Sequence, residues 1–578
     1  MQESCLLAAY FTPMEYRPIV FAVAAALLAG GCHDASSPAP GNSPPPSAAE
    51  AANQQFLNRG TYDPWILKSP GGSGVAPLYL SDGRKAYLVD SGGKPNQKFV
   101  AGGYVNNALQ GGAPEKEAAA QGQAGSFVQT LNLRTGALTT QTPSGAVTLS
   151  LPGFQPRDWA GVWDQSDIAI DGDPEAQQVV HSNLFYLLSS TYPGSDHSIP
   201  PMGLSSSVYQ GHIFWDAEIW MFPALIAQHP DLAKSVINYR FARLEQARKN
   251  AAHHKFAGAE YPWESAVSGE EVAPEEFSHE RHITADVAYA AWQYYLWTGD
   301  KNYLREEGWP ILQATAQYWA SRVTKDGDGS YHIRQVMPPD ETAGVVDDDA
   351  YTNGAARYNL NAATAAAGAL GLSADPKWAD IADALITLSD ADRGIPAEHA
   401  GDITDRFSAK QADTLLLVHP LNEKFDAATT GKMLDFYATH TIKTGPAMTS
   451  CIHSIVASEL DRGSEALEYF RESYRPFMRG PWNAFSEKRT TNNVYFHTGM
   501  GGSLQAVLYG FAGLQVRTKG QGGPGIRLAG DNDVSLCANP HLPPGWTHLT
   551  IKGVRFHGQM LDIDINSKNE ASVTRRNT

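Results

Sequence analysis

From Gly203 to about Arg517 the sequence carries helical period almost without interruption, and on either side the pattern changes to the two-residue alternation of strands. The segments HPDLAKSVINYRFARLEQARKNAA, ITADVAYAAWQYYLWTG, WPILQATAQYWASRV and ARYNLNAATAAAGALG carry apolar residues at helical spacing, Leu232, Val236, Tyr239 and Leu244 in the first. On the order of a dozen such segments follow one another, many closed by Gly or followed by Asp or Pro. Helices of similar length with short loops allow a bundle, a solenoid or a closed toroid, and period alone does not choose among them.

The flanks set the domain boundaries. Residues 53–190 hold short alternating runs between Gly-containing turns, YLSDGRKAYLVDSGG and SFVQTLNLRTGALTTQTPSGAVTLSLPGF, which predict an N-terminal β-sandwich-like domain. Residues 191–205 read as a linker and 206–520 as the helical domain. Alternation with KG and HG turns predicts a small C-terminal β domain over 521–567, and 568–578 reads as a polar tail. The apolar stretch from Pro18 to Gly31, PIVFAVAAALLAGG, is too short for a comfortable membrane span and ends in small residues before Cys32. It resembles a bacterial lipoprotein signal over 1–31, with cleavage before Cys32 and lipid on its thiol. The first basic residue is Arg17, so Met14 is the expected start. Residues 32–52, rich in Pro, Ser and Ala, are expected to form a disordered tether. The expectation is an exported protein, lipid-anchored on the periplasmic side of the outer membrane, or soluble in the periplasm if Cys32 is not lipidated. Membrane contact is expected through the anchor alone.

Composition enters where it excludes. A formal net charge of −17 leaves nothing to neutralise a phosphate backbone, so no nucleic-acid partner is expected. No CxxC or HExxH pattern occurs, and neither His253–His254 nor the pair His279 and His282 has metal-ligand spacing. No metal and no cofactor are expected. Apart from Cys5 and Cys32 the chain has Cys451 and Cys537, whose spacing establishes no disulfide.

Five stretches in the helical region combine aromatic and polar residues. Trp215 and Asp216 lie in GHIFWDAEIWMFP, and Trp263 and Glu264 in GAEYPWESAVSGEE. An indole stacks on the apolar face of a sugar while a carboxylate accepts its hydroxyls. Lys410 and Gln411 open KQADTLLLVHPL and could bond sugar hydroxyls. Asp340 and Glu341 follow two prolines in VMPPDETAGVVDDDAYTN, where an apolar setting is expected to desolvate the acid and suit it to donate a proton. Glu487 lies in WNAFSEKRTTNNVYFHTGMGGSLQ. The glycines of that stretch could suggest a phosphate loop, but no strand precedes them in a Walker arrangement. Glycosidic cleavage needs one protonated and one ionised carboxyl on opposite faces of the sugar. Glu341 and Glu487, far apart in sequence on separate loops, can supply them.

These stretches, with ERHITADVAYA, GPAMTSCIHSIVASEL and ANPHLPPGW, occur in the order found in glycoside hydrolase family 65, and the chain resembles that family from about Gly203 to its C-terminus. The resemblance implies a mainly α fold with β: an (α/α)6 toroid with β-sandwich-like domains. It implies an inverting α-glucosidase with Glu341 as general acid and Glu487 as general base. Trp215, Asp216, Trp263, Glu264, Lys410 and Gln411 match positions that hold the terminal glucose. Pro338 and Thr342 depart from the family pattern around the acid, and are expected to reshape the leaving-group pocket. The substrate expected is an α-linked disaccharide or glucosyl conjugate, kojibiose-type α-1,2 being favoured. A trehalase-type α-1,1 hydrolase, an inverting phosphorylase and a non-catalytic sugar-binding lipoprotein stay as alternatives.

Overall fold

Period leaves the arrangement of the helices open; the contacts between them close it into a ring. The computed structural model describes residues 47–576 except 70–75, 113–126, 143–144, 150, 152–153, 156 and 402–407. The helices in chain order are α1 (Ala48–Leu57), α2 (Trp159–Gln165), α3 (Pro174–Ser189), α4 (Phe222–Ile226), α5 (Pro230–Ala242), α6 (Leu244–His253), α7 (Ile283–Thr298), α8 (Lys301–Tyr303), α9 (Trp309–Arg322), α10 (Ala350–Leu370), α11 (Pro376–Ala384), α12 (Leu415–Val418), α13 (Ala427–His440), α14 (Thr449–Glu459), α15 (Gly463–Tyr474) and α16 (His497–Gln505). Helices α4, α7, α10, α12, α14 and α16 touch one another in that order, and α16 returns to α4. Outside them, α5 packs on α4 and α7, α9 on α7 and α10, α11 on α10, α13 on α12 and α14, α15 on α14 and α16, and α3 on α16. Six inner and six outer helices among the described residues thus make the (α/α)6 toroid.

Inner helices have protein on every side, so their sequences carry little polar face. Helix α16 is buried over its whole length, and its glycines serve packing. A Cβ at Gly501 would stand 2.4 Å from the Trp220 carbonyl oxygen, and one at Gly502 2.7 Å from Cys451 Sγ. The Gly-rich turn is therefore the close crossing of two inner helices. A buried ion pair ties the ring inward: Arg240 of α5 donates to both oxygens of Glu218, at 2.7 and 3.0 Å, and to the Phe214 carbonyl at 3.2 Å.

Several sequence-drawn boundaries move. Cys32, the signal-like stretch and most of the expected tether lie outside the described residues. Residues 48–52, assigned to the tether, instead begin α1. Ser47 and Glu50 form a capping box, and Ala49, Ala52 and Phe56 at helical spacing are buried. Asn53 then donates to the carbonyls of Arg475 and Met478, fixing α1 on the toroid. The N-terminal β region contains a four-stranded antiparallel sheet (Ile66–Ser69, Val128–Asn132, Ala137–Thr142, Gly145–Thr148), a three-stranded one (Leu78–Ser81, Lys85–Val89, Pro95–Val100) and a hairpin of Tyr104–Val105 with Ala108–Leu109. It does not extend to residue 190: α3 belongs to the ring. Its sequence hides this because every residue from Ala176 to Ser189 is buried, which removes the amphipathic period. The strand Ile168–Asp171 pairs with His548–Phe556 of the C-terminal sheet. Residues 198–205 are buried, so the expected linker is packed structure over that half. The C-terminal β region starts at Leu514, and the expected polar tail holds an edge strand, Ala571–Arg576, paired with Gln559–Asn566. An edge strand with one wet face needs no apolar alternation. Cys451 and Cys537 are both buried and form no disulfide among the described residues. Among the described residues no helix is long and apolar enough to cross a membrane.

Candidate active site

The loops that enter the inner helices carry the candidate residues, and the structure brings all eight to one pocket of about 270 Å³. Trp215, Asp216, Trp263, Glu264, Glu341, Lys410, Gln411 and Glu487 all line it.

Trp215 and Asp216 stand where the chain turns into the π-helical stretch Asp216–Met221 ahead of α4. Asp216 is 6% exposed and accepts a 2.5 Å hydrogen bond from the Thr498 hydroxyl of α16. Burial pushes its carboxyl up to about 7, against the opposing Thr498 bond and with smaller help from Glu487 and Glu218. Trp263 and Glu264 sit on the connection between α6 and α7. Their backbone amides both donate to the Glu271 carboxylate, at 2.7 and 3.0 Å, which fixes the turn. Glu264 pairs with His212 Nδ1 at 2.7 Å. The Trp263 ring meets Phe214 edge-on at 5.8 Å and lies 6.2 Å from Trp215.

Beneath Trp215 lies His282, edge-on at 4.8 Å. Burial alone would depress this imidazole, but Asp286 at 2.7 Å and Glu280 at 3.4 Å raise it to about 9. Asp286 also accepts from the Tyr351 hydroxyl at 2.7 Å. His282 is thus a charge-paired support under the aromatic floor.

Glu341 opens a short 3-10 turn, Glu341–Ala343, capped by Asp340. The desolvation expected at Glu341 falls on its neighbour. Asp340 is buried and accepts from the Lys410 backbone amide at 2.6 Å and the Thr342 hydroxyl at 2.7 Å; burial pushes its carboxyl up. The Glu341 side chain keeps 19% exposure and pairs with Lys410 Nζ at 2.6 Å. Thr342 also donates to the Ser408 carbonyl at 3.0 Å and, like Pro338, is absent from the pocket wall. These departures therefore brace the loop and do not shape the pocket directly. Gln411 brings to the wall a buried Oε1 with no partner among the described residues, an acceptor suited to a ligand hydroxyl.

Glu487 follows the small hairpin of Met478–Arg479 and Ala484–Phe485. Buried Arg479 donates to the carbonyls of Lys488, Arg489 and Thr491 and so holds the loop after it. Glu487 is 4% exposed. Its Oε1 accepts from the Tyr209 hydroxyl at 2.7 Å, and its Oε2 from the Asn493 amide at 3.2 Å.

Sequence reasoning missed part of the wall: Tyr209, Phe214, Phe277, Met448 and Phe496. Tyr209 and Phe214 adjoin the Trp215 motif, so proximity to it was the one available signal. Phe496 lies in the stretch that holds Glu487, and Met448 in GPAMTSCIHSIVASEL, while Phe277 is an isolated apolar residue with no signal.

The central catalytic domain of glycosyl hydrolase family 65 matches residues 181–405 and 387–504, and that family's C-terminal domain matches 531–577. The chain belongs to glycosyl hydrolase family 65. Within the family, a kojibiose hydrolase of Flavobacterium johnsoniae is 44% identical over 402 residues, 69% of this chain and 56% of that protein. A protein-glucosylgalactosylhydroxylysine glucosidase of Gallus gallus is 34% identical over 433 residues, 72% of this chain and 59% of that one. This chain spans a little over half the length of these relatives. A solved structure from the human microbiome, with the working name kojibiose phosphorylase, has a TM-score of 0.70 at 16% identity over 89% of this chain and 94% of its own. At that identity the likeness is one of fold.

Proposed function

We propose that this chain is an inverting, exo-acting α-glucoside hydrolase that releases β-glucose, with the α-1,2 bond of kojibiose-type substrates as its target. The observation that carries the reading is the meeting of Glu341 and Glu487, from loops 146 residues apart in sequence, on one aromatic-walled pocket. Trp215 and Trp263 offer ring faces to the glucose, and Asp216, Glu264, Gln411 and Lys410 its hydrogen-bond partners. Glu341 gives its proton to the glycosidic oxygen as the bond to the anomeric carbon breaks. Glu487 takes a proton from the water that attacks the opposite face, and both carboxyls reset by exchange with solvent. Lys410 has to part from Glu341 for that proton to be delivered, and a glucose hydroxyl offers it another partner.

The wall chemistry favours water over phosphate as acceptor. Four carboxyl groups line the pocket (Asp216, Glu264, Glu341, Glu487), Lys410 is the one cation among its described lining residues, and with Glu341 and Asp216 protonated the two remaining carboxylates still outweigh it. A phosphate dianion would meet net repulsion there. Thr449 and Ser450, the hydroxyl residues that follow the wall residue Met448, do not line the pocket. The kojibiose hydrolases among the relatives support the linkage.

Glucose release is the test, over kojibiose, trehalose, nigerose and glucosyl-galactose, with and without phosphate. Release from kojibiose without phosphate is expected, with β-glucose as the first anomer in proton NMR. A strict need for phosphate would make the chain a phosphorylase, and early α-glucose would refute inversion. Preference for trehalose would move the reading to an α-1,1 hydrolase.

A further inference from the structure

Tyr209 is out of place by every local rule. It is a large aromatic residue, 42% exposed, and its backbone sits in the left-handed region at φ 52°, followed by Gln210 at φ 54°. Non-glycine residues enter that region at an energetic cost and stay only where surroundings hold them, commonly at functional sites. Here the surroundings are visible. The Tyr104 hydroxyl, from the N-terminal β hairpin, donates to the Gly211 carbonyl just after the turn. Gly211 has φ 72°, and a Cβ there would stand 2.5 Å from the Leu109 side chain of the same hairpin. His212 closes the clamp, with Nε2 against the Asn107 carbonyl at 2.9 Å and Nδ1 against Glu264 at 2.7 Å. The turn delivers the Tyr209 hydroxyl to Glu487 Oε1 at 2.7 Å, across 278 residues of sequence.

We propose that Tyr209 is a positioning residue for Glu487, orienting the carboxylate so that Oε1 is held and the attacking water has one defined place to lose its proton. The inference rests on Glu487 being the general base, as proposed above. Burial and the adjacent Glu487 carboxylate push the Tyr209 phenol well above its usual range, so it donates throughout the working range of such an enzyme. Asn493 holds the second oxygen from the other side. Both of these hydrogen-bond donors are neutral, and a cation, Lys488 Nζ, stands 3.7 Å from Oε1 on a half-exposed side chain, too far for a hydrogen bond of its own. The N-terminal β hairpin thereby becomes part of the catalytic apparatus while contributing no wall residue itself.

The test compares Tyr209→Phe and Glu487→Gln on kojibiose and on α-glucosyl fluoride, whose leaving group needs no proton from Glu341. Tyr209→Phe keeps the ring and its edge-on contact with Phe214 at 5.6 Å, and is expected to fold as wild type. Its kcat should fall roughly tenfold on both substrates with KM within about twofold, and Glu487→Gln should lose far more. A wild-type kcat in Tyr209→Phe beside an inactive Glu487→Gln overturns this inference alone. A loss that disappears on α-glucosyl fluoride also overturns it, because the defect would then lie on the acid side. Turnover retained in Glu487→Gln overturns the base assignment, and this inference with it.

Discussion

Asp216→Asn isolates the energetic cost of placing a carboxyl in the pocket wall. In the folded chain burial raises the Asp216 carboxyl from its ordinary 3.8 to about 7. A carboxyl raised on folding favours the protonated fold: its contribution is complete below about 3.8 and is lost as pH rises through about 7. Every tenfold change in proton affinity between the unfolded and folded chain is worth about 1.4 kcal/mol, so at pH 8 the ionised group costs the fold on the order of 4 kcal/mol, and at pH 5 roughly 2 kcal/mol. Asn removes that cost and keeps an oxygen for the Thr498 hydroxyl. At about 2 cal/mol/K of unfolding entropy per residue, a chain of this size moves its melting midpoint by roughly 1 °C per kcal/mol. The variant should therefore gain about 4 °C at pH 8 and about 2 °C at pH 5 by scanning calorimetry. An unsatisfied amide hydrogen would subtract equally at both values, so the difference between them is the clean quantity. A gain independent of pH, or larger at pH 5, would refute the raised carboxyl. In activity the same change removes a charged acceptor for a sugar hydroxyl, and kcat/KM should fall on the order of tenfold to a hundredfold.

Glu341→Gln and Glu487→Gln should each lower turnover by at least about a thousandfold with the melting midpoint nearly unchanged; wild-type-like rates in either would remove that residue from its role. Arg240→Met should cost roughly 3–5 kcal/mol in denaturant unfolding, because it strands Glu218 fully buried without its cation. Replacing both partners by apolar residues should recover most of that loss, and a neutral single variant would show the pair to be dispensable.

What the sequence reveals follows from which forces are local. Helical period over 230–242 or 244–253 is a one-face signal that neighbours in the chain express together, so those helices are predictable. Closure of the ring is not, because it depends on α16 meeting α4 across nearly three hundred residues of chain. The missed elements are those whose surroundings erase the pattern: α3 is buried on all sides, and Ala571–Arg576 is mostly wet. The tether boundary failed for the opposite reason. Its final residues, low in complexity, still carry a capping box and two apolar positions, Ala49 and Ala52, at helical spacing with Phe56 just beyond them.

In the site, residue identity was legible and electrostatic setting was not. The eight candidates stand in compact motifs, and each reaches the pocket. Their partners stand elsewhere: Thr498 for Asp216, His212 for Glu264, Tyr209 for Glu487. No local pattern couples residues separated by 282, 52 and 278 positions. The prolines beside Glu341 pointed to a desolvated acid, yet a tight turn can bury one of two adjacent carboxyls while exposing the other, and here Asp340 takes the burial. That exchange leaves the two candidate catalytic carboxyls in unlike company. Glu341 is held by Lys410, a cation on a flexible stem that a substrate hydroxyl can engage; Glu487 is held by a phenol and an amide that carry no charge. Lys488 Nζ stands farther from Glu487, 3.7 Å from Oε1, than the 2.6 Å at which Lys410 meets Glu341. An acid whose close partner can be drawn off and a base oriented by neutral donors make an asymmetric pair, and single displacement needs two carboxyls in different roles.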